Sequence, residues 1–399
     1  MKTDRIVIRG PLRDVARTIG QLPRRNSLIR RSRPDLPDEG FIPSLADALH
    51  PRRQDLVVQE LRRESPSTFT YRLAPARDDG LIAPFRPGRY LSVEVPVAEG
   101  PPIRRPFSIC NSPTDARRRN AYEITVASGP GAFIADRIHR DWSVGTPVVA
   151  SDPQGVFTYE PLRDPGMLVG IAGGSGVTPL RSIISEALEG DGDPEGDPAS
   201  LILIQGARRA EELLFEDEFR RLETAYPERF RRICVLSEEP REGDGRGFID
   251  AGIIADAMGD AEAALFICGP EGMHRHLDGQ IPMLPRTPRR IRREDYGRSG
   301  APSGRSALNI AVRRPGGPFQ SIPADPGETV LVALERAGLN PPSSCRNGSC
   351  GWCRARLLDG SVRYEPEPTG LRAGDRERNH IHPCVALPED DLVMEIMET

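Results

Sequence analysis

Met167-Leu168-Val169-Gly170-Ile171-Ala172-Gly173-Gly174-Ser175-Gly176-Val177-Thr178-Pro179 decides the fold class of this chain. The apolar run Met167 to Ala172 is too short for a helix and reads as a strand covered on both faces. Small residues then turn the chain, and Thr178 to Glu189 reads as a helix. Further along, Leu201-Ile202-Leu203-Ile204 is a second buried run, followed by a helical pattern from Glu211 to Leu222, and Ala264-Leu265-Phe266-Ile267-Cys268 is a third. Buried strands alternating with helices predict a doubly wound α/β sheet over residues 163–296. The acidic, breaker-rich stretch Gly190 to Pro198 reads as a surface loop inside that unit.

On the N-terminal side the pattern changes. Asp55 to Val58, Tyr90 to Val95, Tyr122 to Val126 and Thr146 to Val149 are short apolar stretches separated by turn residues, which predicts an antiparallel β-barrel over 54–162. Residues 1–53 are rich in Arg and Pro without a sustained period and read as an N-terminal arm: an ordered wrap over the next domain, a mobile tail, or a docking element for a partner. On the C-terminal side, Gly297 to Ser306 is small, polar and flexible, as an interdomain linker is, and 307–399 is a further unit. Three folded units agree with a length of 399 residues at roughly 150 per domain.

Charge and composition exclude several classes of function. With 54 basic and 58 acidic residues the net charge is -4, so no global positive field exists to hold nucleic acid or an anionic membrane surface. No apolar run approaches the ~18 residues that a membrane span needs. Seven cysteines is an odd count, and the N-terminus lacks an apolar signal core. A cytoplasmic protein with a metal site is expected rather than a disulfide framework.

Four of those cysteines carry the strongest chemical signal. Cys345-x4-Cys350-x2-Cys353, with Cys384 further on, matches the plant-type [2Fe-2S] spacing, in which a loop gives three thiolates and a distant strand the fourth. Zinc is the rival, but its sites usually come as two C-x2-4-C knuckles and the second pair is missing. Small residues around the ligands, among them Ser343, Ser344, Gly348 and Gly351, let backbone N–H groups approach the sulfurs. Trp352 reads as a surface or packing residue, and the histidines show no metal-ligand spacing with carboxylates.

Two other segments suit cofactors. The turn Gly173-Gly174-Ser175-Gly176 with Val177, Thr178 and Pro179 opens a helix directly after a strand, where glycines admit a pyrophosphate and the helix terminus offers N–H donors; a plain tight connection is the alternative. In Arg105-Pro106-Phe107-Ser108, a fixed cation beside an aromatic and a hydroxyl suits a flavin: the guanidinium would meet a phosphate, the ring and hydroxyl the isoalloxazine.

Pro342 to Ala355, extending through Leu357-Leu358-Asp359-Gly360-Ser361-Val362 to His382-Pro383-Cys384, resembles the cluster loop of plant-type ferredoxins. Arg105 to Ser108 resembles the Arg-x-Tyr-Ser flavin motif of the ferredoxin-NADP reductase superfamily, and Gly131-Ala132-Phe133 sits where that superfamily places its second phosphate turn. Cys268-Gly269-Pro270 resembles its later Cys-Gly-Pro motif, and the 173–179 turn its nicotinamide dinucleotide motif. Phe107 departs from the usual Tyr, and Ala135 stands where a Ser commonly binds phosphate.

The resemblance implies FAD (or FMN), NADH (or NADPH) and a [2Fe-2S] cluster held by Cys345, Cys350, Cys353 and Cys384. It places Ser108 near the flavin N5, Cys268 near the nicotinamide C4 and Glu294 near the flavin, although surface salt bridging is an equal alternative for Glu294. Arg208 would lie near the adenosine ribose. The domain order resembles reductases of the phthalate dioxygenase reductase type. The expected function is electron transfer from NAD(P)H to a partner protein, first an oxygenase or demethylase component. The alternatives are an anaerobic acceptor, such as a corrinoid or hybrid-cluster protein, and a non-catalytic redox sensor or electron-carrying subunit.

Overall fold

A computed structural model describes residues 51, 53–97, 102–129, 133–191, 196–294, 308–324, 327–339, 341–364, 368 and 370–397, and the single residue 23. The described residues from 51 onward belong to one compact unit. The expected arm (1–53) lies almost wholly outside the described residues, and the expected linker (297–306) entirely so.

The first layer is antiparallel. Strands β1 (Gln54–Ser65), β2 (Thr68–Pro75), β3 (Tyr90–Val95) and β4 (Ile103–Ser108) are followed by helix α1 (Pro113–Arg119), β5 (Tyr122–Ala127), α2 (Phe133–Asp141) and β6 (Pro147–Ala150). The strand order is β4-β3-β6-β1-β2-β5, and an antiparallel bridge from Ile109 to Ile124 joins the two edges. Closure removes the free edges that an open sheet would expose. Inward-facing Leu56, Val58, Tyr71, Leu91, Val93, Ile124 and Val148 fill the barrel, and Ile138 and Trp142 of α2 pack onto the same core.

The second layer is parallel throughout. It contains β7 (Met167–Gly173), α3 (Val177–Glu189), β8 (Ser200–Ala207), α4 (Glu216–Ala225), β9 (Phe230–Leu236), β10 (Gly245–Arg246), α5 (Ala251–Met258), β11 (Ala263–Cys268), α6 (Glu271–Gln280) and β12 (Arg290–Glu294). The order β10-β9-β8-β7-β11-β12 reverses direction between β7 and β11. That switch point opens a crevice beyond the carboxyl ends of the two strands, where α/β sheets bind ligands. Helix α4 begins at Glu216, later than the sequence pattern from Glu211 suggests. Ala210–Glu212 form a 3-10 turn, and Phe215 adopts a left-handed conformation (φ 59°) so that its ring stays buried.

Buried ion pairs fasten these layers together. Glu123 of β5 takes Arg181 of α3 at 3.0 Å and Arg72 at 2.9 Å. Burial alone would raise the Glu123 carboxyl, but Arg181, Arg62 and Arg72 outweigh it and hold it below its ordinary range. Thr114 donates through its N–H and its hydroxyl to Glu186 of α3, both at 2.9 Å.

The third layer comprises β13 (Leu308–Arg313), β14 (Gln320–Ala324), α7 (Val330–Arg336), β15 (Ala355–Asp359), β16 (Val362–Tyr364), α8 (Ala373–Glu377), β17 (His380–Ile381), β18 (Ala386–Pro388) and β19 (Leu392–Ile396). A mixed sheet, β14-β13-β19-β15-β17, packs on α7, with β13 and β19 its parallel pair. Val330, Ala333 and Leu334 of the helix meet Ile310, Val312, Met394 and Ile396 of the sheet. This is the α+β grasp expected of a ferredoxin unit.

Candidate active site and cluster loop

The switch point brings the predicted nucleotide turns together. Gly173 ends β7, Gly174–Gly176 make a 3-10 turn, and α3 starts at Val177 with no side chain capping its first N–H groups. Those donors suit a pyrophosphate. Gly174 is left-handed (φ 53°), and Thr178 donates to the carbonyl of Ser175 at 2.8 Å, fixing the turn; Pro179 is buried in the first helical turn. Cys268 ends β11, with Gly269 and Pro270 leading into α6. The two turns touch: a Cβ on Gly176 would stand 2.0 Å from the Cys268 carbonyl oxygen and 2.7 Å from the Gly269 Cα.

Gly176→Ala is therefore expected to separate the two turns. The cost is about 1–3 kcal/mol of stability, together with weaker NAD(P)H binding. A thermal melt and an equilibrium titration check this; an unchanged melting temperature would show that the contact relaxes freely.

Cys268, fully buried, pairs in register with Glu294 on neighbouring β12. Ser108, at the end of β4 in the barrel, donates to Glu294 Oε2 at 3.2 Å across 186 positions of sequence. Ser108, Cys268 and Glu294 thus converge where the barrel meets the parallel sheet. Glu294 is a buried partner of Ser108, not the surface ion-pair member allowed as an alternative from sequence. Burial pushes its carboxyl up to about 8, opposed by the Ser108 hydrogen bond, so it keeps its proton at neutral pH.

The rest of the flavin motif runs along β4. Pro106 is buried, and Phe107 packs against the barrel core. Arg105 donates to both oxygens of Glu335, at 3.2 and 3.1 Å. Burial, then the neighbouring Arg346, pull the Arg105 guanidinium down to about 10 against the pull of Glu335, and it remains a cation at neutral pH. Two arginines around one carboxylate leave a net positive charge, which suits a flavin phosphate. Gly131 and Ala132 lie outside the described residues, and Phe133 opens α2. Arg208 is exposed beyond the end of β8 and paired with Glu212 at 2.6 Å.

The four predicted thiols share one loop region. Cys345, Cys353 and Cys384 are buried and Cys350 is exposed. Cys345 faces Cys350 and Cys384, and Cys353 faces Cys384; these contacts hold the Cys345 thiol far below its ordinary value. Backbone N–H groups of Cys350 and Trp352 point at the sulfurs of Cys345 and Cys350, each at 3.4 Å. Among the described residues no three His, Cys, Asp or Glu side chains converge on a single ion. Four thiols linked through Cys345 and Cys384, with N–H donors aimed at the sulfurs, offer the ligand set that a [2Fe-2S] centre takes. Left-handed Gly348 (φ 79°) is needed because a Cβ there would meet Pro368 at 2.8 Å and Val385 at 2.9 Å. His382 is buried, with Nδ1 3.0 Å from the Gly348 carbonyl, while Trp352 is 48% exposed.

Several site residues carry no sequence signal. Tyr90 lies opposite Ser108 in the β3–β4 pairing, hydrogen-bonds Ser344, and is within electrostatic reach of both Glu294 and Cys345. Burial, foremost, raises its phenol far above the ordinary value. It stands between the Ser108–Glu294 pair and the thiol loop. Gln154, Glu335 and Arg346 likewise join the barrel to that loop.

Comparison with known proteins agrees with this geometry. Residues 171–278 match the oxidoreductase NAD-binding domain family, and residues 315–389 match the 2Fe-2S iron-sulfur cluster binding domain family. The two matched domains mark the chain as an oxidoreductase with an NAD-binding domain and a [2Fe-2S] cluster binding domain, and over most of its length it is similar to reductase components of oxygenases.

It is 24% identical to the reductase subunit of the glycine betaine monooxygenase of Chromohalobacter salexigens, over 80% of this chain and 89% of that one. It is 27% identical to the ferredoxin reductase component of the 3-ketosteroid-9-alpha-monooxygenase of Mycobacterium tuberculosis, over 82% and 90%. Among solved structures, phthalate dioxygenase reductase shares the fold at a TM-score of 0.60 and 20% identity, over 86% of this chain and 98% of that one. Among the described residues no helix is long and apolar enough to cross a membrane.

Proposed function

We propose that this chain is the reductase component of an oxygenase or demethylase system, taking reducing equivalents from NAD(P)H and delivering them singly to a partner protein. The observation that carries this reading is the contiguity of three sites: the glycine turns of the parallel sheet, the Ser108–Glu294 pair, and the thiol loop docked on the barrel through Ser344 and Arg346. Relatives over most of the chain's length include named reductase subunits of oxygenases, which favours an oxygenase partner.

The residue roles follow from position. The turn 173–179 and Gly269-Pro270 hold the pyridine nucleotide, and the exposed Arg208 stands at the β8 end, where an adenosine ribose would lie. Cys268, buried and thiol-bearing, shapes the floor beneath the nicotinamide and excludes water; it needs no nucleophilic role. Ser108 orients the reacting ring through its hydroxyl, held by Glu294, while Arg105 offers charge to the flavin phosphate. A bound flavin supplies the conversion of a two-electron hydride into single electrons, and the cluster accepts them.

Anaerobic addition of NADH, and separately NADPH, is the direct test. The flavin absorbance should bleach and the electron paramagnetic resonance signal of a reduced [2Fe-2S] centre should follow. Extraction of the yellow chromophore and chromatography then identify it as FAD or FMN. Bleaching without a cluster signal would overturn the proposed route.

A further inference from the structure

Cys345 is gripped from both sides by the barrel. The residue before it, Ser344, donates to Gln154 Oε1 at 2.8 Å, and the residue after it, Arg346, donates to the Arg104 carbonyl at 3.3 Å. Arg346 is itself clamped: its two terminal nitrogens reach Glu335 at 2.6 and 2.8 Å. The same carboxylate receives both terminal nitrogens of Arg105 from β4. Glu335 lies on α7, buried, with both oxygens shared between two guanidinium forks that come from positions 11 and 230 residues away.

We propose that Glu335 is a positioning residue: it fastens the cluster loop to the flavin strand, so that the thiol-bound centre is held at a fixed separation from the flavin. This rests on the functional reading above. A carboxylate between two buried guanidinium groups is not interchangeable with a neutral group of the same shape. Without its charge, Arg105 and Arg346 face each other as like cations in a poorly solvated seam, and repulsion opens the contact. Tunnelling of an electron falls steeply with distance, so a loosened seam slows passage to the cluster. The Ser108–Glu294 hydrogen bond is not part of this clamp, so the loss is read as a change in cluster reduction relative to flavin bleaching.

The test is Glu335→Gln in the flavin- and cluster-loaded protein, mixed anaerobically with NADH. The rate of cluster reduction relative to flavin bleaching should fall tenfold or more below the parental ratio. Glu335→Asp, which restores the charge on a shorter arm, should recover part of that loss. Independently of turnover, hydrogen exchange of the same loaded proteins should quicken over 342–351 and 104–108 in Glu335→Gln and remain parental over 167–179. A merely structural role would lower the melting temperature without changing the ratio of the two rates.

Should Glu335→Gln fail to fold, Arg346→Gln is expected to lower the same ratio of cluster reduction to flavin bleaching. A parental ratio of the two rates, or parental exchange over 342–351, in the folded variant overturns the proposal. Absence of cluster reduction in the parent itself would count against the functional reading instead.

Discussion

Cys345→Ser is expected to abolish the [2Fe-2S] signal. A neutral serine hydroxyl is a poor iron ligand, because its proton is far harder to remove than that of a cysteine thiol. Cys345 also has two thiol neighbours, so its loss removes the sulfur that connects Cys350 to Cys384. The visible bands and the electron paramagnetic resonance signal of the cluster should vanish. Delivery to any acceptor served by the cluster should fall to background. Flavin content and NADH-driven bleaching should persist, since Ser108 is held by Glu294 of the parallel sheet. Iron analysis of the parent should give two atoms per chain, and stoichiometric zinc would refute the assignment.

The second large effect is expected at the Ser108–Glu294 pair. Ser108→Ala removes the hydroxyl that bridges barrel and parallel sheet, and displacement of the reacting groups by about 1 Å can cost ~10²-fold in rate. Flavin bleaching by NADH should slow by about that factor while nucleotide affinity changes little. The pH dependence follows from Glu294, whose carboxyl titrates at about 8. Below that value the site is neutral; above it a buried negative charge appears beside the ring that must accept hydride, so bleaching should slow as pH rises through 8.

Glu294→Gln, a permanently neutral isostere, should bleach at the parental neutral-pH rate and lose the inflection. Persistence of the inflection in that variant would assign it to another group. The same group bears on stability. Folded Glu294 holds its proton to about 8 but an unfolded chain releases it near 4.5, so its contribution declines as pH rises across that window.

Much of this architecture is legible in local sequence because the deciding physics is local. The run Met167 to Ala172 can only be covered on both faces, and four cysteines at fixed spacing need no distant information. The strands at Tyr90, Tyr122 and Leu201 lie where alternation or density places them. What escapes the sequence is pairing across distance. Nothing near Glu335 announces Arg105, 230 positions away, and nothing near Ser344 announces Gln154, 190 away. The motif Arg105 to Ser108 is readable as a flavin strand, yet its arginine is already shared with the iron–sulfur unit. The offset of α4 has a similar origin: periodicity from Glu211 suggests a helix, but burying Phe215 required a left-handed residue there. The choice between surface and interior for Glu294 waited on a hydroxyl 186 residues earlier.

The two seams that flank the barrel are built from guanidinium–carboxylate contacts almost closed to water: Arg181 with Glu123 on one side, Arg105 and Arg346 with Glu335 on the other. Mobile electrolyte weakens only the charges it can surround. Raising the salt concentration therefore leaves the protein's internal wiring nearly untouched, and any brake it puts on overall throughput belongs to the encounter with another molecule at the outer surface.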